Sequence, residues 1–194
     1  MKEKAAGIIR IITAPPVFAF VTLSILYYKL GLIFGTPMDF LVSEVCLSVI
    51  PACAYPIAQM KSCYSDSRRE CQRKTAFTMS LCGYLAAFIY GMLRMIPKIL
   101  MWILTSYFLA SVVLMIINRG FQIKASGHAC SCVLSYLMLC FFGRGRVRII
   151  CLILYLTEFW ASVYLNRHTV SEFLSGSAAA AAVFCFTKLY FGFY

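Results

Sequence analysis

The chain holds two histidines, His128 and His168, forty positions apart, and each sits where a long apolar run meets a short polar segment. Imidazole changes charge near neutral pH and can act as nucleophile, acid or base. A single histidine at such a boundary more often ends a helix or contacts headgroups, whereas two on one face of a bundle make a candidate site. Around the first the chain reads Lys124, Ala125, Ser126, Gly127, His128. Ser126 suits a helix N-cap, Gly127 permits close approach of backbone to a ligand, and Lys124 brings a point charge for an anionic oxygen. Around the second it reads Asn166, Arg167, His168, Thr169, Val170, Ser171, Glu172. Once a helix begins there, Glu172 lies one turn beyond His168, near enough to accept the Nδ1 proton and leave Nε2 free to attack. Glu172 equally suits the first turn of a helix as a favourable acid.

The elements that carry these residues follow from composition. Of 194 residues, 62% are apolar and 13% charged, against about 25% charged in a soluble domain. A disordered chain, a collagen-like chain and a soluble enzyme with one polar shell are excluded, and most of the surface must face lipid. In lipid only helices or closed barrels satisfy every backbone group, and no period-two alternation is present, so helices are expected. The predicted fold is all-α: a polytopic transmembrane helix bundle of six to seven spans in one integral-membrane domain, residues 1–194, with two N-terminal spans in 8–60 and a core in 61–194. Their approximate limits are Ile8 to Tyr28, Phe40 to Met60, Thr75 to Met92, Leu100 to Ile117, Gly127 to Phe142, Ile149 to Leu165 and Glu172 to Tyr190. The fifth is short. Pro15, Pro16, Pro51 and Pro56 should kink the first two. The start, with Lys2 and Lys4, has too long an apolar run and no small-residue cleavage site for a signal peptide, and is expected to be retained. SGSAAAAAVF in the last span is a small-residue stripe suited to close helix packing. If all seven cross, both histidines and the loop from Lys61 to Lys74 share one face, and GRGRVR lies on the other.

The net charge of +11 arises from 18 Lys and Arg against seven acids. The basic residues form short clusters between apolar runs, with no continuous basic face for nucleic acid; they fit anionic headgroups or phosphorylated ligands. Seven of the ten cysteines (Cys46, Cys53, Cys82, Cys132, Cys140, Cys151, Cys185) lie within apolar runs as small hydrophobes. Cys63 and Cys71 share the one long polar loop and could pair. No CxxC or Cys/His metal spacing, phosphate-binding loop, dinucleotide fingerprint or nucleophile elbow occurs, so no cofactor and no metal is expected. Of the acids within spans, Glu44 sits near a span end, and Glu158 lies where the sixth span could reach the site or pair with an arginine.

The KASGH segment, with VYLNRHTVSEFLSG following, resembles the second and third motifs of the type 2 phosphatidic acid phosphatase superfamily, in particular its short bacterial members. The likeness runs from about Lys61 to the C-terminus. It implies that His128 is the general acid, with Lys124, Ser126 and Gly127 beside it, that His168 is the nucleophile, and that Glu172 orients it. The family's arginine six positions before the nucleophile is replaced here by Ser162. For the first motif, Lys61 and Arg68 have the family spacing, but Arg69 stands in place of proline; Arg69, Glu70, Gln72 and Arg73 resemble the arginine-acid loop of short members. Arg69 and Arg73 are therefore the preferred phosphate contacts, ahead of Arg68 and Lys61, with Arg119 and Arg167 as further candidates. The same loop reads equally as a cytoplasmic basic hinge. The implied activity is metal-independent hydrolysis of a lipid phosphomonoester or diphosphate, such as phosphatidate or a polyprenyl diphosphate, through a phosphohistidine. The implied partners are that lipid phosphate and the bilayer, without nucleic acid. The implied location is the cell membrane, multi-pass; with the catalytic basic residues discounted GRGRVR is cytoplasmic and the site faces outward, as is usual in the family, whereas counting all basic residues gives the reverse. The alternative is a non-catalytic lipid-phosphate-binding or transporter-like membrane protein derived from the family.

Overall fold

The computed structural model describes residues 2–60, 68–120 and 124–193. Among them the chain is helical throughout: α1 (Lys2–Ile12), α2 (Pro15–Leu30), α3 (Pro37–Met60), α4 (Arg68–Arg94), α5 (Lys98–Gly120), α6 (Gly127–Phe142), α7 (Gly145–Tyr164) and α8 (Val170–Tyr190). Five of these are long and apolar enough to cross a membrane, and six spans result if α1 and α2 count as one broken span. Lipid exposure is written on the surface. Ile149, Ile150, Leu152, Ile153 and Leu156 of α7 are each more than half exposed, an apolar face that a water-soluble chain would cover.

The expected first span, Ile8 to Tyr28, is instead two helices bent by 52°. The cause is local. A residue before proline is pushed out of the helical region, and Ala14, before Pro15, is extended at φ −57°, ψ 136°. Pro15 and Pro16 then open α2, where a missing N–H costs nothing. The fifth expected span, α6, has 16 residues, about 24 Å at 1.5 Å per residue and shorter than the hydrocarbon layer. In α3, a wide turn at Val45–Val49 precedes Pro51, the position that lacks an amide for the regular ladder.

The core is set by α8, which packs on both α6 and α5, with α2 against α6 and α1 against α7. Trp102 is fully buried there, its Nε1 donating to Thr187 Oγ1 at 3.0 Å. The alanine-rich stripe faces inward at Ala179 and Ala180. Gly176 carries the closest approach: a Cβ there would overlap the Ser126 carbonyl oxygen and lie 3.1 Å from Ser126 N and C.

Candidate functional site

The site is built where α7 stops and α8 starts. Asn166 adopts a left-handed conformation at φ 49°, which asparagine tolerates better than most residues. Its N–H donates to Val163 O, and the Arg167 N–H donates to Ser162 O, both at 3.0 Å. This is a Schellman cap with asparagine in the usual glycine position. Three residues later Thr169 caps α8: its Oγ1 accepts from Glu172 N, and the Glu172 carboxylate accepts from Thr169 N, each at 3.2 Å. This reciprocal capping box fixes the start of α8. His168 lies between the two caps, and its own N–H points to Ser162 O at 3.4 Å.

The His168 side chain is 11% exposed, with Nδ1 3.2 Å from Glu172 Oε2. One carboxylate oxygen therefore serves both the cap and the ring, so the two sequence readings of Glu172 hold together. The pairing leaves Nε2 open. Burial holds the His168 pKa below the ordinary imidazole value; the hydrogen bond accepted by Glu172 pulls it up, and the charges of Arg10 and Arg73 push it down. A neutral ring with a free nitrogen is the nucleophilic form.

His168 opens onto a pocket of about 390 Å³ lined by Arg73, Lys124, Val163, Asn166, Arg167, His168, Thr169 and Glu172. Three of the cations named from sequence thus line the same pocket as the ring, from three elements. Arg73 comes from the first turns of α4, where neighbouring Lys74 is engaged by Glu70 at 2.7 Å. Lys124 comes from the strand of chain before α6, and Arg167 from the α7–α8 turn. Arg119 is exposed at the end of α5 and does not line the pocket. Arg68 and Arg69 open α4, but their side chains, together with Lys61 and Cys63, lie outside the described residues.

Ser126 and Gly127 do structural work beside the pocket. Ser126 is the N-cap of α6, its Oγ accepting from Ala129 N at 3.2 Å, and its N–H donates to Glu172 O at 2.9 Å. That backbone bond joins the two motif segments directly. Asn118, unrecognised in the sequence, clamps the preceding residue from both sides: its Oδ1 accepts from Ala125 N at 2.7 Å and its Nδ2 donates to Ala125 O at 3.3 Å.

His128 lies one layer deeper, does not line the pocket, and is 12% exposed. Its Nε2 stands 3.2 Å from Oε1 of the fully buried Glu158, close enough for an ion pair but not aligned as a hydrogen bond. Tyr136 donates to the other Glu158 oxygen at 3.0 Å. His128 and His168 lie within electrostatic reach of each other. Two histidine–carboxylate pairs therefore occupy one end of the bundle. Cys132, one turn beyond His128, completes a trio with His128 and Glu158 whose donor atoms all lie within 4.8 Å of one another. This set could ligate a divalent ion by donor type. No sequence spacing announced it, because Glu158 comes from another helix.

Compared with known families, characterised proteins and solved structures, the chain matches none.

Proposed function

We propose that the chain is an integral-membrane phosphatase that hydrolyses a lipid phosphomonoester or diphosphate through a phosphohistidine at His168. The observation that carries this is the convergence of Arg73, Lys124 and Arg167 on an imidazole whose Nδ1 is held by Glu172. Phosphoryl transfer asks little covalent chemistry of a protein: it needs an in-line nucleophile and positive charge around the phosphoryl oxygens. In the first step His168 Nε2 bonds to phosphorus as the ester P–O bond breaks, and the leaving oxygen takes a proton. His128, backed by Glu158 at 3.2 Å, is the source of that proton in this reading. Water then attacks phosphorus, the P–N bond breaks, phosphate departs, and the water's proton returns to the acid–base pair.

A pocket among helix ends, beside lipid-facing helices, suits a substrate with its phosphate in the pocket and its tail in the bilayer. The opposite ends of α4 to α8 carry Arg94, Lys98, Arg144, Arg146, Arg148 and Lys188. With every candidate phosphate contact set aside, including Lys61, Arg68, Arg69 and Arg119, the balance favours that end as cytoplasmic and the site as outward-facing, whereas counting all basic residues gives the reverse. The first motif contributes Arg73 to this picture, and the metal-independent chemistry proposed here draws its positive charge from the three cations that line the pocket.

The test is phosphate release by the purified chain in detergent with EDTA, from short-chain phosphatidate and a polyprenyl diphosphate, comparing wild type with His168→Ala and His128→Ala. Turnover in EDTA that disappears in His168→Ala supports the reading. Equal background release from all three overturns it in favour of a non-catalytic phosphate-binding protein, the role that Ser162 and the inward turn of His128 would then explain.

A further inference from the structure

We infer that Arg10, on the first helix, is a phosphate-binding residue of this site. The inference rests on the phosphatase reading for its substrate, but its evidence is separate, because α1 lies outside the segments that suggested that reading. Helix α1 packs along α7, and Ala6 and Thr13, spaced with Arg10 at helical intervals, are buried on that side. The register is fixed by one contact. The Thr13 carbonyl accepts from Cys132 Sγ at 3.0 Å. Cys132 lies one turn beyond His128 in α6, and Arg10 lies about one turn before Thr13, which brings the guanidinium to the level of His128. Arg10 does not itself line the pocket, and its electrostatic neighbours are Arg167, Glu158, Tyr55, Cys132, His128 and His168.

Among the described residues no side chain forms an ion pair with the guanidinium within 4.0 Å, and its Nη1 is buried with no hydrogen-bond acceptor. Glu158 is near, yet its Oε1 also lacks a hydrogen bond and faces His128 instead. In this half-buried guanidinium the buried Nη1 has no acceptor among the described residues, an unfavourable arrangement that an anion would complete. Arg167 nearby compounds this, because two like charges held together are stabilised by an anion between them. A phosphoryl group on His168 meets that need, and the planar fork of arginine matches two of its oxygens. Ser162 supports the same geometry from below. It is fully buried, its Oγ has no partner among the described residues, and its carbonyl holds the Arg167 and His168 amides. No cation comes from α7 at this level, and α1 delivers one across it.

The experiment measures two things on the full chain in detergent: thermal protection by inorganic phosphate, and phosphate release from short-chain phosphatidate. Wild type is compared with Arg10→Gln and Arg10→Lys. For Arg10→Gln the expected result is a melting transition like wild type without phosphate, loss of protection by phosphate, and a fall of about a hundredfold in kcat/KM, the scale of losing one charge-stabilising donor. Arg10→Lys should keep part of both. Wild-type protection and rate in Arg10→Gln overturn the assignment and leave the phosphatase reading standing. If wild type releases no phosphate from any lipid, the phosphatase reading falls, and protection alone decides: lost in Arg10→Gln it supports an anion site at Arg10, and unchanged or absent in wild type it overturns it. If Arg10→Gln does not fold, Arg10→Lys decides by the same measure, a tenfold weaker phosphate midpoint supporting the assignment and an unchanged one overturning it.

Discussion

Replacing Gly176 with alanine tests whether the contact between α8 and the Ser126 segment holds the site together. The added methyl would overlap the Ser126 carbonyl oxygen and crowd Ser126 N and C at 3.1 Å. All three atoms are backbone, so no rotamer change relieves the overlap. Overpacking of this kind costs about 1–3 kcal/mol, and loss of the 2.9 Å bond from Ser126 N to Glu172 O costs about 1 kcal/mol more. Alanine returns about 0.5–1 kcal/mol through its better helix propensity. The net is a destabilisation of about 1–3 kcal/mol, read as a drop of several degrees in thermal midpoint. Function suffers more than stability. The segment must move by about 1 Å to restore ordinary contact, and a misplacement of that size can lower a rate about a hundredfold. The assay is phosphate release and thermal unfolding in detergent, with Gly145→Ala as control, because nothing lies within 4 Å of a Cβ there. Wild-type stability together with wild-type rate in Gly176→Ala would refute the claim that this contact sets the site.

The remaining predictions concern the ring and its supports. In the proposed mechanism His168 attacks only when neutral, so kcat/KM should fall as pH drops through its depressed pKa. Glu172→Gln removes the influence that raises this pKa, so the acid limb should move to lower pH while the maximal rate falls; Arg73→Gln removes an influence that lowers it, so the limb should move to higher pH. Shifts in the reverse sense in a pH–rate series contradict the assignment. Asn166→Ala forces an ordinary residue into a left-handed conformation and should destabilise by about 1–2 kcal/mol, whereas Asn166→Gly should be close to neutral; equal melting of the two variants counts against the cap. Asn118→Ala leaves the buried Ala125 amide without its acceptor, with an expected loss of about 1–3 kcal/mol and a raised KM through displacement of Lys124, both measurable on one preparation.

What was legible in the sequence was local. Glu172 four positions after His168 and Ser126 two before His128 act through helix geometry within a single turn, and their contacts follow from spacing alone. The helical, membrane-crossing class followed from apolar runs, and the small-residue stripe around Gly176 marked a close packing face. What escaped depended on pairing between distant elements. Glu158 meets His128 only because α7 packs on α6, Arg10 reaches the same level only because two prolines break the first span, and Asn118 reads as an unremarkable helix end until the chain folds back over it. The first span was expected to kink; the extended Ala14 before a double proline separates it into two helices. His128 was expected on the same face as His168; the buried Glu158 carboxylate that stands beside its ring comes from a neighbouring helix, a pairing no spacing could announce.

Charge bears on which ligand such a site favours. Arg10, Arg73, Lys124 and Arg167 are four cations in electrostatic reach of His168 or lining its pocket, and Glu158 and Glu172 are the two carboxylates among them. Four against two leaves an excess of two positive charges with both acids ionised, and three if one carries a proton. A phosphomonoester, at about −1.5 to −2 near neutral pH, or a diphosphate, more negative still, balances that excess, whereas a phosphodiester at −1 leaves cations uncompensated. The same excess bears on His128, Cys132 and Glu158. Their donor atoms lie close enough for a divalent ion, but even with Cys132 ionised on ligation such an ion would add a net positive charge beside a guanidinium that has no ion-pair partner among the described residues. The electrostatics therefore favour an anion entering from the pocket over a cation bound beneath it, with Glu158 serving His128 as a proton partner rather than as a ligand.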